Sequence, residues 1–230
     1  VAFRSIYTGD RYRASIGGLV GWISVGDIKN SSFTGTVYGE TDVTVPETNS
    51  GAFIGGLIGL ANGSNVIKCD VDADVTGNTY RYLSLGGAIG YIMSNDRQYS
   101  DISYQGTVYG NVNIEGKQCQ ISTIEVGGLI GAGEFGGNTQ IHNNTAEGIL
   151  FGNAAANDHA NVSVGGIVGE AYLKSNLTSY SLENNVTNLQ ISVEQTADAL
   201  INVGGLVGTM YNASASANPS LEITFNACQV

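Results

Sequence analysis

Ile16-Gly17-Gly18-Leu19-Val20-Gly21 reads as an aliphatic residue followed by Gly-Gly-aliphatic-aliphatic-Gly, and the chain spells that pattern six times. The other copies run from Ile54 to Gly59, Leu85 to Gly90 (with Ala88 among the aliphatics), Val126 to Gly131, Val164 to Gly169 and Val203 to Gly208. Their intervals of 38, 31, 41, 38 and 39 residues mark an internal repeat. A repeat of this period builds a solenoid, propeller or array, in which each unit buries its apolar face only by stacking on its neighbours. Composition does not shift along the array, so the 230 residues read as one elongated domain: a partial leading unit or arm at 1–15, six units over 16–208 and a partial last unit at 209–230.

Between the copies, apolar and polar residues alternate as in strands. Just before the Gly pair, Leu83-Ser84-Leu85, Ile124-Glu125-Val126, Val162-Ser163-Val164 and Ile201-Asn202-Val203 each place two apolar side chains on one face. A second, longer strand passes through Ile28, Asn30 and Phe33 to Gly35-Thr36-Val37-Tyr38-Gly39, and recurs as Gly106-Thr107-Val108-Tyr109-Gly110, with relatives at Gly148–Gly152 and Ala73–Gly77. A weaker third strand is expected at Val43 and Val45, and at Val112 and Ile114, before a loop of variable length. Three strands per unit, no crossover helix and a Gly at each corner predict an all-β fold: a parallel β-solenoid of about six turns, rising about 4.8 Å per turn. A propeller blade has a similar length but needs four antiparallel strands, and no hairpin signal recurs at a fixed offset.

These residues resemble a known family. Gly17-Gly18-Leu19-Val20-Gly21 followed by Gly26-Asp27-Ile28-Lys29-Asn30-Ser31-Ser32-Phe33-Thr34-Gly35-Thr36-Val37-Tyr38-Gly39 is similar to the GLUG repeat. That repeat occurs in large bacterial surface proteins, in adhesins and in non-catalytic regions of immunoglobulin A peptidases. The resemblance spans essentially the whole chain and loosens in the last two units, where the downstream Gly gives way to Leu189. It implies an extracellular region that extends, displays or adheres, and it transfers no catalytic residue.

Charged residues make up 13% of the chain against a usual value of about 25%, so Asn, Ser, Thr and Gly carry its solubility. A net charge of −11 repels nucleic acid and anionic lipid. The longest apolar run, near Ala52 to Ala61, is broken by three glycines and is far short of the roughly 20 residues a spanning helix needs. The chain has neither an initiator Met nor a signal peptide, so it reads as a processed form or a piece of something larger. Asn-x-Ser/Thr sequons at Asn30, Asn62, Asn143, Asn161, Asn176, Asn185 and Asn212 point to a secreted glycoprotein, although Asn and Ser/Thr are also ordinary turn and strand residues here. Cys69, Cys119 and Cys228 are too few and too scattered for a disulfide scaffold or a zinc site.

The search for chemistry is mostly negative, and no cofactor is expected. Gly131-Ala132-Gly133-Glu134-Phe135-Gly136 matches the spelling of a dinucleotide fingerprint, but another strand follows where that site needs a helix N-terminus. His142 and His159 lack a Cys or carboxylate at ligand spacing. Asp70, Asp72 and Asp74 share an outward face while Cys69, Val71, Ala73 and Val75 point inward. Three such carboxylates suit Ca²⁺ or the acid–base work of a polysaccharide lyase or hydrolase; a charged solvent face is the plainer reading. Tyr38, Tyr109 and Phe151 occupy one outward slot in different turns, with Thr76 between them, and a ladder of that kind suits sugar faces or a protein surface.

The ends lack polar caps, and solenoid edges left unpaired invite partners. Arg4, Arg11 and Arg13 make the first thirteen residues basic against an acidic body, so copies would attract head to tail; otherwise flanking repeats of the same polypeptide supply the pairing. The expectation is therefore a non-enzymatic, extracellular structural or adhesive protein. Its partners are copies of itself or flanking repeats, with glycans or host surface proteins as adhesion targets and neither nucleic acid nor a membrane span involved.

Overall fold

The computed structural model describes residues 1–7, 13–43, 51–113, 121–155, 159–195, 199–212, 222–226 and 228–230. The chain winds as a parallel β-helix. A leading strand β1 (Ala2–Tyr7) lies on the first coil, which is β2 (Arg13–Gly17) and β3 (Val20–Val43). The second coil is β4 (Gly51–Gly55) and β5 (Ile58–Thr79); the third is β6 (Tyr82–Gly86), β7 (Ile89–Asn95) and β8 (Gln98–Asn113). The fourth is β9 (Ile121–Gly127), β10 (Ile130–His142) and β11 (Thr145–Ala155), and the fifth is β12 (His159–Gly165), β13 (Val168–Glu183) and β14 (Val186–Gln195). A last, partly described coil holds β15 (Ala199–Gly204), β16 (Val207–Asn212) and β17 (Glu222–Asn226). All strand pairings among the described residues are parallel, and there are about five full turns where six Gly pairs suggested six.

The first glycine of every pair stacks on the next: Gly17, Gly55, Gly86, Gly127, Gly165 and Gly204 form one column. The second glycine permits the approach of successive backbones. A Cβ on Gly56 would lie 2.2 Å from Gly87 O, and one on Gly87 would lie 2.2 Å from Gly128 O. The third glycine lets the chain fold back over the middle strand of the preceding coil. A Cβ on Gly90 would sit 2.4 Å from Ile54 N, and one on Gly131 would sit 2.6 Å from Leu85 N.

That return produces three layers. The six-stranded sheet β15-β12-β9-β6-β4-β2 forms the middle layer. On one face Ile54, Leu83, Leu85 and Ile124 pack against the glycine column Gly39, Gly77 and Gly110 of the long strands. On the other face the segments that begin β5, β7, β10 and β13 close over it. The residues alternating with the aliphatics are therefore buried rather than outward: Phe53 is 3% exposed, Ser84 0%, Glu125 3% and Ser163 3%. Alternation in the sequence marks only one buried face here. The third layer is the segment directly after the Gly pair, not the weak strand expected further on. The residues expected to form a weak third strand, Val43 and Val112, instead end β3 and approach the end of β8. Val45 and Ile114 lie outside the described residues.

Each coil turns a second corner with a left-handed residue: Asn30 (φ 49°), Lys68 (φ 55°), Asp101 (φ 53°), Asn143 (φ 57°) and Asn184 (φ 52°) stack there. Asn and Asp tolerate that conformation better than other side chains. Just inside the corner, Asn144 and Asn185 form a buried amide ladder. Asn144 Oδ1 accepts from Ile102 N at 2.9 Å, and its Nδ2 donates to Tyr99 O at 3.1 Å and to Asn185 Oδ1 at 2.9 Å. Asn185 Nδ2 donates to Ile141 O at 2.9 Å. These amides cap backbone groups that the turn takes out of the ladder.

Two glycines separate backbone crowding from simple smallness. Gly56→Ala should cost more than about 2 kcal/mol, because a carbonyl cannot swing aside as a side chain can. Gly152→Ala, where the nearest atoms would be side-chain carbons at 3.6 Å, should stay within about 1 kcal/mol. Urea unfolding midpoints compare the two directly. By the same measurement Asn185→Ala should lose about 2 kcal/mol, since it strands Ile141 O and Asn144 N in the core.

Candidate functional site

Outward columns are the places where a coil can vary without breaking the stack. Tyr38, Thr76, Tyr109, Phe151 and Ser192 fall in a single register column. Tyr109 and Phe151 are stacked, with ring centroids 4.8 Å apart and planes 4° from parallel. Tyr38 donates its hydroxyl to Glu40 in the next column and accepts from Asn78 Nδ2 at 3.2 Å. That next column reads Glu40, Asn78, Asn111, Asn153 and Glu194. A line of aromatic rings thus runs beside a line of amides and acids.

Asp70, Asp72 and Asp74 point outward and are exposed, with Val71, Ala73 and Val75 buried between and after them. Asp70 Oδ1 accepts from Ser103 Oγ at 2.6 Å, and Asp74 Oδ1 accepts from Thr107 N at 3.0 Å. Along an extended strand the outer two carboxylates stand about 13 Å apart, too far to grip one ion. Among the described residues no group of three His, Cys, Asp or Glu side chains could hold a metal ion, which removes these aspartates as a Ca²⁺ cradle.

The dinucleotide-like run lies wholly inside β10, with no helix start to meet a phosphate. His142 Nε2 lies 2.8 Å from Gln98 Nε2, and the His159 side chain is outside the described residues. Among the sequons, Asn30, Asn143, Asn161, Asn176 and Asn212 are exposed and Asn62 is half-buried, but Asn185 is buried and holds the amide ladder. A glycan on Asn185 would require that ladder to open. Cys69 is buried with its thiol against Ile67 O and Ile28 O, and burial raises its pKa, so it remains an unreactive thiol. Cys228 Sγ donates to Leu182 O at 3.4 Å, and Cys119 lies outside the described residues. Of the leading arginines, Arg4 lies on β1 opposite Glu40 in register and Arg13 opens β2, while Arg11 lies outside the described residues.

Sequence reasoning missed one cluster, set between the middle layer and the layer folded back over it. Tyr82 donates its hydroxyl to the buried Glu125 at 2.6 Å. Opposite, Glu170 accepts from Tyr211 at 2.9 Å and from Ser163 at 3.2 Å, and Ser163 Oγ also lies 2.7 Å from Thr209 Oγ1. Ser163 is the register partner of Glu125, so one coil step joins the two acids. Phe53 packs edge-on against Tyr82 and tilted against Tyr91, at 5.9 and 4.6 Å, and Tyr172 meets Tyr211 at 4.4 Å. Lys174 pairs with Glu134 at 3.1 Å at the rim. Burial, and then the charge of Glu125, push the Tyr82 hydroxyl well above its ordinary pKa, so it stays a donor. The cluster clasps two layers through satisfied acids and hydroxyls. Its one sequence signal was an acid at Glu125 in a slot where other coils carry Ser84 and Ser163.

In-register coils, a sandwiched middle sheet and left-handed corners define a parallel β-helix repeat module, with no helix among the described residues long and apolar enough to cross a membrane. Its first unit carries the GLUG motif: the family model of that description matches residues 12–38, the stretch where the resemblance was strongest. Comparison with curated proteins and with solved structures found no match.

Burial raises the Glu170 carboxyl above its usual 4.5, and the hydrogen bonds from Tyr211 and Ser163 only partly oppose it. A carboxyl raised by folding holds its proton more tightly in the folded chain, so ionising it removes stability as pH climbs past the unfolded value. Glu170→Gln cannot ionise. Relative to the parent, its melting temperature should therefore improve between about pH 4 and pH 7, as thermal unfolding across that range would read.

Proposed function

We propose that this chain is a non-enzymatic structural repeat of a secreted or cell-surface protein, and that it lengthens a rod or filament by coil-on-coil stacking. One observation carries the reading: both end coils present apolar columns that the middle coils bury. At the leading end Leu19 is 46% exposed while Leu57, which bonds Leu19 across the coil, is 0% exposed, and Trp22, 63% exposed, stands over the half-buried Leu60. At the other end Ile201 and Val203 are 38% and 52% exposed, whereas their column neighbours Val162 and Val164 are fully buried; Leu200, whose neighbour is the exposed Asn161, is 62% exposed. Among the described residues β2 and β15 terminate the middle sheet, each with one edge unpaired.

Parallel stacking makes the two ends complementary, because every coil offers the next the same edge that it covers on the last. A contact between unlike ends does not close, so it propagates. Copies of the chain, or flanking repeats in the same polypeptide, supply the covering coil. The exposed sequons and the occurrence of GLUG repeats in bacterial surface proteins and adhesins support an extracellular setting. The exposed, well-separated Asp70, Asp72 and Asp74 offer little for a lyase or hydrolase.

Sedimentation velocity over a concentration series at low salt tests the stacking. Species should grow with concentration, and Trp22→Lys combined with Leu200→Lys should hold the chain monomeric with an unchanged circular dichroism spectrum. A parent chain that stays strictly monomeric at high concentration would sink self-stacking.

A further inference from the structure

The aromatic column has a gap, and we propose that the gap is a binding slot for one neutral pyranose ring of a glycan. Phe151 covers one face of Tyr109, in near-parallel contact at 4.8 Å. The opposite face of Tyr109 therefore turns toward the coil that contributes Thr76, its register partner on that side. Beyond Thr76 the column resumes at Tyr38. Two strand spacings, about 9.6 Å, separate the Tyr38 and Tyr109 positions. A threonine ends two atoms past its Cα and cannot reach across a tyrosine ring, so the outer part of the Tyr109 face is left open above it. The vacancy has the thickness of one inserted ring, because the ladder itself stacks rings at 4.8 Å.

The rim selects the chemistry. On one side stand Asn78, whose amide already reaches the Tyr38 hydroxyl at 3.2 Å, and Asn111, its partner in the next coil. On the other stands Asp74, which spends Oδ1 on Thr107 N and keeps a second carboxylate oxygen. Amides and a carboxylate beside an aromatic face match a sugar, whose C–H face stacks on the ring while its hydroxyls donate and accept at the edge. An aromatic side chain of a partner would fill the thickness but leave those amides without new partners. With Asp72, Asp74 and Glu40 close by and a net charge of −11, an acidic sugar is repelled. The slot goes beyond the stacking role: it lies on the side of the rod and stays open whether or not the ends are covered.

The probes are chitohexaose, cellohexaose and mannohexaose as neutral chains and polygalacturonate as the acidic one, read by saturation-transfer NMR and calorimetric titration of the whole chain. Binding of at least one neutral hexasaccharide is expected, weakened at least tenfold by Tyr109→Ala. Thr76→Tyr is the sharper variant, since it completes the ladder: it should hold or raise the melting temperature while abolishing binding. No binding of the neutral chains at millimolar concentration, binding of polygalacturonate alone, or a Thr76→Tyr chain that binds like the parent would overturn the slot.

Discussion

Everything in this molecule depends on how closely one coil's backbone can approach the next at the Gly pairs. With a Cβ on Gly56, Gly87 or Gly128 standing 2.1–2.2 Å from the neighbouring carbonyl, no other residue fits without displacing backbone. That contact sets both the spacing and the register, and register does the rest. It stacks Ile54 on Leu85, Val126 and Val164, aligns the corner asparagines, and gives each outward position a fixed neighbour above and below. Buried aliphatic side chains contribute about 1.5–3 kcal/mol each, but only because the glycines have already placed them in line.

The same closeness explains why the middle sheet carries polar residues that solvent does not reach. Once the third glycine of the pattern lets the chain return over the middle strand of the preceding coil, the slot of Ser84, Glu125 and Ser163 becomes an interior. An acid there is tolerable only with donors at hand, and Tyr82, Tyr211 and the serine and threonine hydroxyls provide them. The cluster is thus a consequence of layering, and the same burial pushes the Tyr82 hydroxyl above its ordinary pKa.

The repeat, its strands and the parallel stacking were legible because glycine spacing and alternation are one-dimensional patterns. The aromatic column was legible too, since Tyr38, Tyr109 and Phe151 each stand in the same Gly-x-x-aromatic-Gly setting, at Gly35–Gly39, Gly106–Gly110 and Gly148–Gly152. The layer that begins Val20-Gly21-Trp22 was not, because its residues change size from coil to coil: one column runs Ile23, Ala61, Ile92, Gly133 and Ala171, and no pattern recurs to be read. Nor was the burial of Glu125: whether a polar residue between two aliphatics faces water depends on what folds over it, and that is a contact between distant residues. Asn185 looked like an exposed acceptor for the same reason. Its sequon gives no hint that the amide turns inward at a left-handed corner.

In-register stacking also imposes an electrostatic rule on an acidic chain. Two carboxylates in adjacent coils would stand about 4.8 Å apart, costing about 1 kcal/mol in water and about 3–4 kcal/mol at an effective dielectric of 20. In the described pairings no acid stacks on an acid. Asp70 lies between Ser32 and Ser103, Asp72 between Thr34 and Gln105, Glu147 between Gln105 and Asn188, and Glu125 between Ser84 and Ser163. Asp101 has Lys68 on one side and Asn143 on the other, and the register partner of Glu40 on the leading strand is Arg4. The charge of −11 is therefore spread across columns rather than along them. This is the arrangement a rod needs if it is to repel other molecules laterally while its own coils, or another copy's, stack without penalty along the axis.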